Sequence, residues 1–259
     1  MTSKRDFVLK FERARGHLDD LEAQLTTWAH SGHHSVFNEP DPDNGPDCFR
    51  IRVITDPVPT DPISVIIGDV LHNLRSALDH LAYALAVKHT NPLPDDIAKE
   101  SEFPIFASNN VNAIAKRIRG MDPGAQAVME RLQPYQRGKD SALDPLWMLY
   151  KLSNIDKHRL LLVGTVSNVA AGFRPGMSYN YRLLGANVYD TMIEGEAIVV
   201  RYRAVPADPD KEMHVEFDPL LQIAFKGPTA VNGKGVVKTL GAIYDYIGTR
   251  VFGLLGTFL

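Results

Sequence analysis

Residues 62–89 read P-I-S-V-I-I-G-D-V-L-H-N-L-R-S-A-L-D-H-L-A-Y-A-L-A-V-K-H, and this stretch decides the fold. It opens on Asp61-Pro62, an aspartate able to cap a helix followed by a proline whose fixed φ suits the first helical position. It stops before Asn91-Pro92. Ile67, Val70, Leu71, Leu74, Leu78, Leu81 and Leu85 recur at three- and four-residue steps, so one face of a helix about 42 Å long is apolar. The other face carries Asp69, His72, Asn73, Ser76, Asp79 and His80, with Arg75 at its margin. A solvated helix face is ordinarily filled with Glu and Lys, and neither occurs between Asp69 and Tyr83. The residues found there instead lower helix propensity and are suited to directed hydrogen bonds, metal binding or proton transfer.

The same proline grammar marks helix starts at Asp122-Pro123 and Asp144-Pro145. The Pro145 helix is expected to run to about Val163, where Gly164 stops it. A first helix spans about Ser3 to His30, opened by Ser3 and Asp6 at capping-box spacing and closed near Gly32. A last one, about Val236 to Thr257, carries Val237, Leu240, Ile243, Ile247, Val251 and Leu254 at helical steps. Between Ser35 and Thr55 the turn Asn44-Gly45 separates Val36-Phe37 from the alternating run Phe49 to Val53, which predicts a hairpin. Ala197 to Ala204 and Met213 to Phe217 are strand-like. The expected fold is α+β and a single domain over residues 1–259. It is mainly a bundle of four or five helices (about 3–30, 62–89, 111–163 and 236–258). An N-terminal β-hairpin lies within about 35–55, and a small antiparallel sheet in the β-rich stretch 164–226 is inserted before the C-terminal helix and packs on the bundle.

Composition removes several function classes. In 259 residues, 28 basic side chains stand against 31 acidic ones, a formal charge of −3, which argues against a broad basic surface and leaves only a local basic groove open. Cys48 is the one cysteine, so there is no intrachain disulfide framework and a reducing cytosol is the expected compartment. The first ten residues lack the apolar run of a secretory signal, and the apolar tail Val251 to Leu259 is half the length of a membrane span. The expectation is a cytoplasmic protein with no membrane partner. No Gly-x-Ser-x-Gly occurs, Gly233-Lys-Gly235 lacks the ending of a phosphate loop, and the acidic loop Glu39 to Asp47 has its glycine at the wrong place for calcium. His30, His33 and His34 read as a solvated cluster at a helix end, Cys48 as a small buried hydrophobe, and Trp28 and Trp147 as packing anchors.

A second polar helix surface lies in L-Y-K-L-S-N-I-D-K-H-R-L-L-L, residues 149–162. Lys151, Asn154 and His158 share one face, while Asp156 and Arg159 lie nearer Leu152. Facing the Pro62 helix, this surface would close a polar seam inside a bundle. The element Arg75-Ser-Ala-Leu-Asp-His80, an R-x4-H on a helix of a largely helical chain, resembles the signature of the HEPN superfamily. The wider pattern L-H-N-L-R-S-A-L-D-H-L followed by N-I-D-K-H-R is similar to a group of uncharacterised bacterial proteins. The resemblance implies a helical, metal-independent endoribonuclease of toxin or defence type. Its arginine and histidine act at a dimer interface, it needs no cofactor, and its partners are RNA, a second copy of the chain, and an antitoxin or other protein. Carried onto these residues, His80 is the acid/base and Arg75 the phosphate clamp, Asn73 orients phosphate or water, and His158 or Lys157 assists from the other helix. His72, Ser76, Lys151, Asn154 and Lys157 surround them as substrate-binding positions. Lys116, Arg117 and Arg119 head a segment to Lys139 in which Arg131, Arg137 and Lys139 also oppose only Asp122 and Glu130, a surface able to track an RNA backbone.

Two other readings stay open. Arg75 and Asp79, like Asp69 and Asn73, are four apart on the helix, so the stripe can instead be a satisfied network that fixes helix register in a non-catalytic scaffold or interaction protein. Alternatively Asp69, His72, Asp79 and His80, joined by His158 or Asp156, form a metal site in a helical-bundle enzyme. No Glu-x-x-His on either long helix supports a di-iron centre.

Overall fold

A computed structural model describes residues 6–161, 163–168, 181–189, 192–193, 195–206, 220–227 and 230–259. Helix α1 (Asp6–His30) leads into strands β1 (His34–Pro40) and β2 (Cys48–Thr55), then the long α2 (Thr60–His89). Three short helices follow, α3 (Asp95–Glu100), α4 (Val111–Ile118) and α5 (Pro123–Arg131), and then α6 (Pro145–Asp156). Strands β3 (Val163–Asn168), β4 (Tyr181–Val188), β5 (Met192–Ile193), β6 (Glu196–Pro206) and β7 (Leu220–Phe225) precede α7 (Val236–Tyr246). Helix α7 continues through a π turn (Ile247–Phe252) and a short helical end, Gly253–Phe258.

The expected bundle of four or five helices with a small inserted sheet does not form. The described residues hold seven α-helices of six residues or more and two antiparallel sheets, one ordered β1-β2-β6-β4 and the other β5-β3-β7. The hairpin does form, but it is not a separate feature. Ile51, Val53 and Thr55 of β2 are buried on one face, and β6 joins β2 along its length, from Cys48 opposite Arg203 to Ile54 opposite Glu196. Ile51, Val53, Val199, Val200, Tyr202 and Ala204 then make a hydrophobic cluster of their own, to which β5 adds Ile193. Alternating burial of this kind demands a second layer, and β5 supplies the link to it. The helical stretch expected over 111–163 is broken by Gly120, by the Gln133-Pro134 turn and by Gly138 at φ 56°. Helix α6 also ends at Asp156, because the chain turns at Lys157–Arg159 and enters β3, which pairs with β7. The strand expected at Met213–Phe217 and the Ser3 cap lie outside the described residues.

Helix α2 is the axis of the helical part. All seven of its predicted apolar positions are buried, each contributing about 1.5–3 kcal/mol of burial. Helix α1 packs along it, and α6 crosses it. The Ser64 hydroxyl donates to the Leu161 carbonyl just before β3, so α2 also holds the second sheet. Asp122 and Asp144 cap α5 and α6 as expected, accepting from Gly124 N–H and Leu146 N–H. Asp61 does not cap α2. The helix begins at Thr60, two residues before the expected Pro62, and Asp61 sits in its first turn, where its charge still suits the dipole.

Candidate functional site

Arg75 is held along its own helix. Its Nε donates to Asp79 Oδ2 at 3.1 Å and its Nη2 to Asp79 Oδ1 at 2.8 Å, the fork-to-fork pairing that guanidinium and carboxylate favour. Nη2 also donates to the Phe103 carbonyl at 2.8 Å, and Phe103 N–H returns a bond to Asp79 Oδ1 at 3.0 Å. The pair therefore clamps both backbone groups of a residue whose ring is fully buried. Arg75 Nη1 is buried without a hydrogen-bond partner among the described residues. Burial pushes the Asp79 carboxyl above the usual aspartate range, more than the neighbouring Arg75 charge and the Phe103 N–H lower it.

The segment around Phe103 is fastened from other sides too. Gln133 Nε2 donates to the Pro104 carbonyl at 2.9 Å, its Oε1 accepts from Phe106 N–H, and Arg117 pairs with Glu102 while lying over the Phe106 ring. Phe103 and Gln133 are the members of this site that sequence reasoning missed. Arg75 recognises a backbone carbonyl, which leaves no trace in residue type.

The remaining candidates on α2 divide into three groups. Asn73 is buried and its Nδ2 turns back to the Asp69 carbonyl at 2.8 Å. Ser76 and His80 are half-buried, and among the described residues His80 has neither a hydrogen-bond nor an ion-pair partner. Asp69 and His72 are exposed and gather with Asp156 of α6, whose carboxylate lies over the bare Cα of Gly68. Burial, and then the Asp69 charge, push the Asp156 carboxyl upward, while His72 draws it down.

On α6, Lys151 is exposed over the Trp147 ring and Asn154 is half-buried. Lys157 and His158 are exposed in the turn beyond the helix end, and no hydrogen bond or ion pair joins His158 to Arg75 or His80. The expected polar seam is thus limited to the Gly68–Asp156 crossing. The basic segment is largely neutralised. Lys116 pairs with Glu100 at 2.8 Å, Arg117 with Glu102, Arg119 with Asp96 and Glu100, and Arg137 with Asp144. Of the residues in the metal alternative, Asp69, His72 and Asp156 gather on one surface, whereas Asp79 is engaged by Arg75. Among the described residues no three His, Cys, Asp or Glu side chains are placed to hold an ion. Of the three clustered histidines, His30 bonds the Thr26 carbonyl and His33 bonds Asp56 and stacks on Trp28. No helix among the described residues is long and apolar enough to cross a membrane. No family model matches the chain, and neither a curated protein nor a solved structure matches it.

Proposed function

We propose that this chain is a helical scaffold or interaction protein in which the polar face of α2 is a structural network and not a catalytic centre. The observation that carries this reading is the engagement of Arg75. Its Nε and Nη2 are taken by Asp79 and the Phe103 carbonyl and its Nη1 is buried, so the group that would have to grip a phosphate is committed to fixing the 102–106 segment on α2. The neutralised Lys116, Arg117 and Arg119 support the same reading, since a polyanion needs cations not already paired. The test is incubation with RNA in EDTA together with melting of an Arg75→Met variant. The scaffold reading expects no products ending in a 2′,3′-cyclic phosphate, and a loss of about 1.5–3 kcal/mol in the variant, the worth of hydrogen bonds to charged groups. Cleavage by the parent protein that His80→Ala abolishes without altering melting overturns it.

One observation favours a second reading, the HEPN-type ribonuclease with its dimer, RNA and antitoxin partners. His80 is only partly buried and unpartnered among the described residues, the condition a general acid/base needs. In that reading Arg75 must leave Asp79 before it can meet phosphate, at a cost of about 3 kcal/mol, roughly a hundredfold in affinity. Asp79→Asn then loosens the arginine and raises EDTA-resistant cleavage, whereas in the scaffold reading it only lowers stability.

A further inference from the structure

A cavity of about 300 Å³ opens where the segment after α5 meets the C-terminal helix, lined by Arg131, Leu132, Arg137, Tyr246, Arg250 and Leu254. Three guanidinium groups from two distant parts of the sequence converge on it. Arg137 is fixed in place. It pairs with Asp144, a nearly inaccessible carboxylate that also caps α6, and it lies 5.6 Å from the centre of the Tyr246 ring. Arg131 and Arg250 are exposed, and among the described residues neither has an ion-pair or hydrogen-bond partner. Glu130, the nearest acid in sequence to Arg131, is turned to the Tyr135 hydroxyl. The cavity therefore carries positive charge in excess of its one paired carboxylate.

The helix geometry contributes to this convergence. Tyr246, Arg250 and Leu254 are four residues apart, and the π turn Ile247–Phe252 runs through them. In a regular α-helix such a series winds around the axis; a wider turn offsets the winding and keeps the three side chains on one line facing Arg131 and Arg137. Single π turns inside α-helices recur at functional sites.

We propose that this cavity binds a small phosphomonoester. A carboxylate is satisfied by one bidentate fork, whereas a phosphate dianion with three terminal oxygens can accept from Arg131 and Arg250 together while Arg137 supplies a held positive charge. The volume lies at the small end of ligand pockets and suits a phosphate with a compact body against Leu132, Leu254 and the Tyr246 ring. A polyanion is disfavoured, because Lys116, Arg117 and Arg119, earlier in the same basic segment, are all paired with acids and offer no continuing track.

The experiment is calorimetric titration of the full chain at physiological salt with ribose 5-phosphate, inorganic phosphate and a ten-nucleotide single-stranded RNA, alongside melting curves. The expected result is saturable binding of ribose 5-phosphate, weaker binding of inorganic phosphate, and a melting temperature that rises with either ligand. Arg131→Met and Arg250→Met, at exposed positions with no partner to orphan, each weaken ribose 5-phosphate at least tenfold and melt as the parent does. Absence of saturable binding, or binding that both variants leave unchanged, overturns the site. RNA binding tighter than ribose 5-phosphate, with a steep salt dependence and loss in the same variants, overturns the phosphomonoester assignment in favour of a nucleic-acid backbone.

Discussion

Asp156 shows how a single carboxylate reports its surroundings. In the folded chain its pKa is held above 3.8 by burial and by the charge of Asp69, with His72 opposing. A carboxyl whose pKa is raised by folding binds more protons folded than unfolded. Its contribution therefore favours the fold below the ordinary aspartate value and is lost as pH climbs through the raised one. Asp156→Asn keeps the shape and removes the ionisation. Urea unfolding at pH 4 and at pH 7 is expected to show the variant gaining on the parent protein as pH rises, and the opposite trend contradicts the placement of Asp156 beside Asp69. Other features at this scale were legible to different degrees. The Arg75–Asp79 pair follows from spacing alone, since residues four apart on a helix are neighbours. The Phe103 carbonyl that completes it is invisible in the sequence, as is the turn of Asn73 onto its own backbone, because one amide can serve a ligand or a carbonyl equally well.

At the scale of elements, the crossing of α2 and α6 rests on a glycine. A Cβ at position 68 would stand 2.6 Å from Asp156 Oδ1, far inside contact distance. Glycine within a helix ordinarily costs about 1 kcal/mol relative to alanine, so Gly68→Ala should stabilise α2 unless the carboxylate blocks it. The expected outcome is a double-mutant cycle with coupling of about 1 kcal/mol. Gly68→Ala gains little or nothing in the parent protein and recovers its helix-propensity gain once Asp156→Ala clears the space. Denaturant melts of the four proteins measure it, and equal effects in both backgrounds remove the crossing contact. Sequence periodicity identified seven buried positions of α2 correctly, because burial on one side of a long helix leaves a strong 3.6-residue signal, but it left out Ile63 and Ala77 and put the buried Asn73 on the polar face. It overran α6, whose end is set by the entry of the chain into β3, a tertiary demand with no local marker.

The molecule as a whole is built on two hydrophobic clusters. One lies among the helices and takes in Val163, Ile223 and Phe225 of β3 and β7, and the other is enclosed by the four-stranded sheet with Ile193. A hairpin near the N-terminus was legible from its turn and alternation. Its partnership with β6 was not, because the register from Cys48 to Arg203 pairs residues separated by helices α2 to α6, and local sequence carries no address for so distant a neighbour. Two clusters joined through a two-residue strand, β5, imply unequal stability, since local opening follows the density of buried contacts. Ile51 is fully buried in the sheet cluster, and Leu74 is fully buried among the helices. Truncation of either to alanine is expected to cost about 2–5 kcal/mol within its own cluster. Amide exchange then distinguishes the two. Ile51→Ala should speed exchange in β2 and β6 while α2 amides keep their protection, and Leu74→Ala should lower protection throughout, because α2 anchors α1, α6 and the loop before β3 alike. Uniform loss of protection in both variants would mean that β5 couples the clusters into one cooperative unit.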